Sequence, residues 1–191
     1  MKSFKQEYVY APGYIDIFSV SEINEILRIV EKFPLVSGTT TSSEEDQRTI
    51  RRSKVSWIEN DTDTNWIYQK VSNAIIGFNS DHYKFSILGI EPIQYTTYEE
   101  DDYGTYDFHI DSMITSNGLR KISVSVLLSE PDSYVGGDLV LSQSGGGDLW
   151  IPPRVLGRAI VFPSWVPHKV TPVTKGIRKV LVFWVYGEPF V

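Results

Sequence analysis

The chain has 191 residues, of which 41% are hydrophobic and 22% charged, the balance of one globular domain rather than a disordered segment. Its 18 basic and 24 acidic residues leave a formal charge of −6, which argues against a broad basic face for nucleic acid. Cysteine is absent, which excludes disulfide scaffolds, cysteine nucleophiles, thiolate zinc sites and iron–sulfur clusters, and no apolar run approaches the roughly 20 residues of a membrane span. Met1 to Glu7 is basic and polar with no apolar stretch behind it, unlike a secretory signal. The expectation is a soluble, cytoplasmic protein forming a single domain over 1–191, with neither nucleic acid nor membrane as partner.

Along the chain, Ser19-Val20-Ser21-Glu22 has the form of a capping box. Ile23, Ile26, Leu27, Val30 and Phe33 then recur at helical spacing until Pro34 stops the run. Residues 36–49 are small, polar and acidic, and read as a long loop of the kind that closes over a substrate. Ile50 to Ile58 alternates loosely as a strand. Asp61 or Asp63 opens a second amphipathic helix carrying Trp66, Ile67, Val71, Ile75 and Phe78. From about Ile90 the period changes to two. Strand-like runs follow at 91–98, 105–110, 120–129, 137–142, 148–151, 157–162, 167–173 and 177–186, punctuated by Gly, Pro, Asp and Ser. Two helices followed by short strands predict a mainly β fold, a jelly roll (double-stranded β-helix) with the helices packed on one sheet. Residues 1–88 would then be helical support with a first strand and loop, and 89–191 the jelly-roll core. The glycine-rich Ser142 to Gly147 lacks the Gly-Lys-Ser/Thr ending and the following helix of a phosphate loop.

Three histidines are available, His82, His109 and His168. In His109-Ile110-Asp111, at the end of a predicted strand, positions i and i+2 share a face and set an imidazole beside a carboxylate. His168 lies in another predicted strand, which a jelly roll can bring opposite the first. Two imidazoles and one carboxylate leave adjacent octahedral positions open, as in the Fe(II) facial triad. Two arbitrary strand residues also produce H-x-D, so the motif alone leaves a packing role open. Ten residues past His168 stands Arg178. It shares a strand face with Val180, Val182 and Trp184, and a guanidinium buried there requires an anion. That anion is either an internal Asp or Glu or a dicarboxylate ligand held by a bidentate pair. His82 reads as a surface or capping residue and Glu99 to Asp102 as a solvated turn. Arg51 and Arg52 read as exposed strand charges, with a substrate groove as the alternative.

From about Gln94 to Tyr186 the sequence resembles the 2-oxoglutarate- and Fe(II)-dependent dioxygenases, in particular the prolyl 4-hydroxylase-like branch that includes PKHD-type hydroxylases. The blocks are Gln94-Tyr-Thr-Thr-Tyr98, Tyr106-Asp-Phe-His109-Ile-Asp111, Arg120 to Leu128, Gly136-Gly-Asp-Leu139, and Gly157 to Trp184 with Phe162-Pro163, His168, Gly176 and Arg178. The resemblance implies that His109, Asp111 and His168 ligate Fe(II), that Arg178 pairs with the distal carboxylate of 2-oxoglutarate, and that Tyr98 adds a hydroxyl beside it. Tyr106, Arg120 and Trp184 would line the substrate side. O2 is the second co-substrate, with ascorbate as a reductant. Leu127 stands where oxygen-sensing members carry a tyrosine, which leaves Ser123 and Ser125 as the hydroxyls able to take that contact. Collagen-type enzymes have a lysine where Arg178 stands. Position 184 is Trp rather than the second arginine expected of a nucleobase demethylase. The implied activity is hydroxylation of prolyl residues in a proline-containing peptide or protein. The alternatives are hydroxylation of a free amino acid or other small metabolite and, from another class, a jelly-roll binding module without chemistry.

Overall fold

The computed structural model describes residues 10–38, 50–142 and 148–190. Most of the predicted closing loop (39–49) and of the glycine-rich loop (143–147) lies outside them. Helix α1 (Val20–Val30) begins with the expected box. Glu22 N donates to Ser19 Oγ at 3.4 Å, and Ser19 N donates to the Glu22 carboxylate at 2.8 Å. The helical hydrogen bonding stops at Val30, and the chain reaches Pro34 through a turn. Helix α2 (Asn65–Phe78) starts later than either aspartate, at Thr64. Asp61 instead closes the preceding turn, its Oδ1 accepting from Asp63 N and Thr64 N at 2.9 and 3.0 Å. No helix among the described residues is long and apolar enough to cross a membrane.

The strands form two sheets, as a jelly roll requires. The larger runs, edge to edge, Gly13–Asp16, Arg158–Pro163, Gly118–Leu127, Val173–Gly187, Ile93–Glu99, Lys54–Ile58 and Val36–Ser37. The smaller runs Leu149–Trp150, Leu139–Ser142, His168–Val170, Thr105–His109 and Arg51–Arg52. Alternation along the long strands divides the interior in two. Ile122, Val124, Val126, Leu181, Phe183 and Val185 point toward the helices and pack on Ile26, Ile67, Val71 and Ile75. Their neighbours Leu127 and Val180 point toward the smaller sheet and meet Leu141, Phe162 and Val170. Fully buried side chains of this size contribute about 1.5–3 kcal/mol each. The helices therefore cover one face of the large sheet and leave the other to face the small sheet across the site.

The first third of the chain is less helical than its pattern implies. It supplies four strands where one was expected: Gly13–Asp16, Val36–Ser37, Arg51–Arg52 and Lys54–Ile58. The run from Ile50 to Ile58 breaks at Ser53, so that Arg51–Arg52 pairs with Tyr106 and Thr105 in the small sheet while Lys54–Ile58 pairs with Thr97 to Ile93 in the large one. The predicted strand 137–142 starts later, at Leu139, and a separate strand, Tyr134–Gly136, precedes it. Gly136 and Gly137, at φ of +75° and +65°, turn the chain between Tyr134–Gly136 and Leu139–Ser142.

Glu22 joins the two helices, because its carboxylate also accepts the Lys70 ammonium of α2. The hydrogen bond from Lys70, with those from Ser19, lowers the Glu22 carboxyl to about 2. A carboxyl lowered on folding contributes stability above its unfolded value of 4.5, and that contribution is lost as pH falls toward 2. The pair is partly exposed, so solvent screening keeps its share small. Glu22→Gln is expected to cost about 1 kcal/mol at neutral pH. Chemical denaturation should show the difference from wild type shrinking between pH 4.5 and 2.

Candidate metal centre and its cavity

The small sheet brings the two site histidines together by register: His168 lies directly opposite His109 on the neighbouring antiparallel strand. Their rings are 4.1 Å apart between centroids. Asp111 arrives by a different route from the predicted strand alternation, since the strand ends at His109. Past it the chain turns, and the N–H groups of Asp111 and Ser112 both donate to Ser164 O at 2.9 Å. This turn delivers the carboxylate to the imidazoles, with Oδ1 3.6 Å from His109 Nε2 and Oδ2 3.4 Å from His168 Nε2. One ligand atom from each of the three residues lies within 4.8 Å of the others.

The surrounding groups orient these atoms. His109 Nδ1 is 2.8 Å from Asp107 O, and His168 Nδ1 is 3.0 Å from Val166 O. A carbonyl can only accept, so each Nδ1 carries the hydrogen and each Nε2 presents its lone pair to the common centre. Burial and the adjacent His168 imidazole push His109 down to about 4, against the opposing pull of Asp111, so it is neutral at physiological pH. Burial raises the Asp111 carboxyl. The facing imidazoles of His168 and His109, with the Ser123 hydroxyl, outweigh it, and the net shift is downward. Ser123 Oγ donates to Asp111 Oδ2 at 2.7 Å. Two imidazoles with their Nε2 atoms turned to one point and an ionised carboxylate, converging with open space before them, fit Fe(II) with its remaining positions free.

The triad opens into a cavity of about 660 Å³ between the sheets. Arg178, on the large-sheet wall, is 4% exposed and forms no ion pair among the described residues. Its guanidinium lies 5.4 Å from the centroid of Tyr98, itself buried and lining the same cavity. Gly137 allows this placement, because a Cβ there would come within 3.1 Å of Arg178 Cδ and 2.8 Å of Val173. Of the two hydroxyls expected to replace the missing tyrosine, Ser123 is committed to Asp111, and Ser125 lines the cavity. Leu127 instead packs in the cluster that contains Tyr98.

The remaining aromatic and basic residues gather around the triad. Tyr106 stacks on His109 with centroids 3.5 Å apart and planes at 15°. Trp184 is buried, and its indole nitrogen has no hydrogen-bond partner among the described residues. Arg120 covers that indole at 3.9 Å and is held by Glu91 through contacts of 2.8 and 2.6 Å. Glu91 was not foreseen, because nothing local distinguishes it from an exposed glutamate before a strand. Arg51 differs from its reading as an exposed charge. It is 8% exposed and lines the cavity, whereas Arg52 faces solvent. Glu99 to Asp102 forms a turn with Glu99 paired to Lys54, and His82 is exposed beside Phe78, outside the cavity lining.

Comparison with known proteins agrees with this geometry. A family model described as the 2OG-Fe(II) oxygenase superfamily matches residues 93–186. A PKHD-type hydroxylase of Klebsiella pneumoniae is 26% identical over 178 residues, 89% of this chain and 75% of that protein. A PKHD-type hydroxylase of a Synechococcus strain is 40% identical over 84 residues, but that alignment takes in 42% of this chain and only 36% of the relative. Among solved structures, a Pseudomonas putida prolyl-4-hydroxylase superposes with a TM-score of 0.73 at 17% identity, covering 94% of both chains. A Trichoplax adhaerens prolyl hydroxylase, in complex with a hypoxia inducible factor oxygen degradation domain peptide fragment, also gives 0.73, at 20% identity over 93% of this chain and 84% of that one. These likenesses are to the fold.

The Ser123 hydroxyl fixes one oxygen of the only carboxylate in the triad. Ser123→Ala is expected to weaken divalent-metal binding by about tenfold, the lower end for loss of a hydrogen bond to a ligating group. Anaerobic Fe(II) titration followed by calorimetry measures this directly, and an unchanged affinity would show that the serine does not orient Asp111.

Proposed function

We propose that this chain, whose residues 93–186 match the model of the 2OG-Fe(II) oxygenase superfamily, is an enzyme of that superfamily and hydroxylates a prolyl residue within a peptide or protein. Its triad of His109, Asp111 and His168 would hold Fe(II), and Arg178 with Tyr98 would bind 2-oxoglutarate. The observation that carries the reading is Arg178, a buried guanidinium without an ion-pair partner among the described residues, facing the same cavity as the triad. An unpaired buried cation is costly, and a carboxylate from solution would relieve that cost with two parallel hydrogen bonds. When bound, Fe(II) and 2-oxoglutarate supply the chemistry: one O2 is consumed, the keto acid becomes succinate and CO2, and the second oxygen atom enters a C–H bond. The chain orients the keto acid through Arg178, aims three ligand atoms at one point and encloses the reaction between two sheets. Ascorbate would serve as the reductant that keeps the iron ferrous.

The cavity lining favours a residue embedded in a peptide over a free amino acid. Asp111 is the only carboxylate among the lining residues described. A free amino acid would bring an ammonium group for which these lining residues offer no counter-charge beyond a metal ligand. The mouth is apolar instead, with Trp57, Phe108, Ile110 and Met113 each more than two-fifths exposed and lining the entrance. Ile114 extends the strip at 76% exposure. Such a strip beside a cavity suits an uncharged, extended chain. Proline as the target residue draws support from the prolyl hydroxylases that share the fold, one of them with a bound peptide.

The test is succinate release from 2-oxoglutarate with Fe(II), O2 and ascorbate, with and without proline-containing peptides, together with mass spectrometry of the peptides. Stimulated succinate release and a gain of one oxygen on proline are expected. Asp111→Ala should abolish turnover, and Arg178→Ala should raise the KM for 2-oxoglutarate about a hundredfold, the scale for unpairing a buried charge contact. Succinate release that no peptide stimulates would move the substrate to small metabolites. Normal turnover by either variant would overturn the assignment of the site.

A further inference from the structure

We propose that Arg51 is a positioning residue for the metal centre, acting on His109 through the ring of Tyr106. The inference rests on the triad binding a divalent metal. His109 contacts two rings, Tyr106 at 3.5 Å and 15° and His168 at 4.1 Å and 53°. Its Nδ1 contact to Asp107 O fixes where the ring edge points, and the parallel contact with Tyr106 fixes the plane. The tyrosine ring is held in turn. Arg51 is its cross-strand partner in the small sheet, and the Arg51 guanidinium carbon lies 4.7 Å from the Tyr106 centroid on the ring face.

The guanidinium is itself fixed. Its Nε donates to Ser53 Oγ at 2.7 Å and an Nη to Gln94 Oε1 at 3.0 Å. Gln94 is 4% exposed and belongs to the large sheet, so this contact ties the edge strand of the small sheet to the opposite wall of the cavity. The backbone of Gly38 packs closely against the group, since a Cβ there would come within 2.8 Å of Arg51 Nε. A planar cation bonded on its edges and stacked on its face has little freedom, and Tyr106 inherits that constraint. Among the described residues, Thr105–His109 has its partner strand His168–Val170 on one side and the two residues Arg51–Arg52 on the other. Arg51 therefore closes the sandwich where the strand carrying the ligand would otherwise be near an open edge. Groups that orient a ligating histidine commonly affect metal affinity by 10- to 100-fold.

The experiment is a Co(II) titration of the whole chain read by visible absorption, which reports affinity and coordination geometry without turnover. Arg51→Leu and Tyr106→Leu should each bind Co(II) about tenfold more weakly and show an altered spectrum. Tyr106→Phe, which keeps the ring, and Arg52→Ala, on the exposed side, should match the wild type. Circular dichroism checks folding, and if Arg51→Leu fails to fold, the contrast between Tyr106→Leu and Tyr106→Phe decides the question. Wild-type affinity and spectrum in both leucine variants would overturn the inference while leaving the metal site standing. Weakening in Arg51→Leu alone would also overturn it, because the effect would not pass through the ring. A wild-type chain that binds no Co(II) would overturn the triad and this inference together.

Discussion

The antiparallel pairing of His168 with His109 is the constraint on which the centre depends. In a two-residue period, a slip of one position would turn either imidazole out of the sandwich and bring its neighbour in. The neighbours are Phe108, Ile110, Pro167 and Lys169, none of which could replace it as a ligand. The register is protected by what lies behind it. Leu141 and Val170 are buried from the small sheet against Phe162 and Val180 of the large one, and a slip would expose these side chains as well. On the strand carrying His168 the apolar core and the ligand position follow the same alternation, whereas a register shift in its pairing with the other strand sets Tyr106 against His109 three residues on.

Asp111 shows why the sheet alone is not sufficient. A third ligand on the strand would be held by the ladder, but this one stands beyond its end and is held by a turn. Ser164 O receives two N–H groups from that turn, while Ser164 N donates to Lys121 O on the large sheet. Ser123 Oγ reaches both Asp111 and Ser164 Oγ. The carboxylate is therefore referenced to the large sheet and the imidazoles to the small one. The distance between the sheets enters directly into the shape of the centre, which gives the side chains bridging them, Gln94 and Arg51 among them, a bearing on geometry as well as on stability.

Much of this was legible in the amino-acid order, and the parts that were not share a physical cause. Long strands with a clean period, such as the one carrying Arg178, Val180, Val182 and Trp184, were readable because each face meets a different environment over many residues. The H-x-D pair and His168 were readable as a candidate cluster because the chain has only three histidines, and one of them stands two residues from an aspartate at a strand end. The two-residue strands at 36–37 and 51–52 were not, since a period cannot be recognised in two positions. Arg51 failed for a related reason. The break at Ser53 passes the chain from one sheet to the other, so its side chain turns inward just where alternation stops being informative. Glu91 and Ser123 have roles set wholly by residues distant in sequence, Arg120 for one and Asp111 for the other, and no local pattern announces such pairs.

The three arginines around the cavity show how the chain separates structural from functional charge. Arg120 is neutralised by Glu91 and covers the Trp184 ring, and Arg51 bonds Ser53 and Gln94 and covers Tyr106. In both, side chains bond the edges of the guanidinium, a carboxylate in the case of Arg120 and neutral hydroxyl and amide oxygens in the case of Arg51, while an aromatic ring covers its face. Arg178 also lies near an aromatic face, that of Tyr98, but no side-chain carboxylate among the described residues meets its donors. Burying a guanidinium in that state costs several kcal/mol that folding does not recover by itself. The large sheet can carry that cost because Arg178 is on its longest strand and pairs directly with Tyr98 of the neighbouring strand. Under the proposed function, that location would hold the guanidinium in place both before and after a dicarboxylate binds.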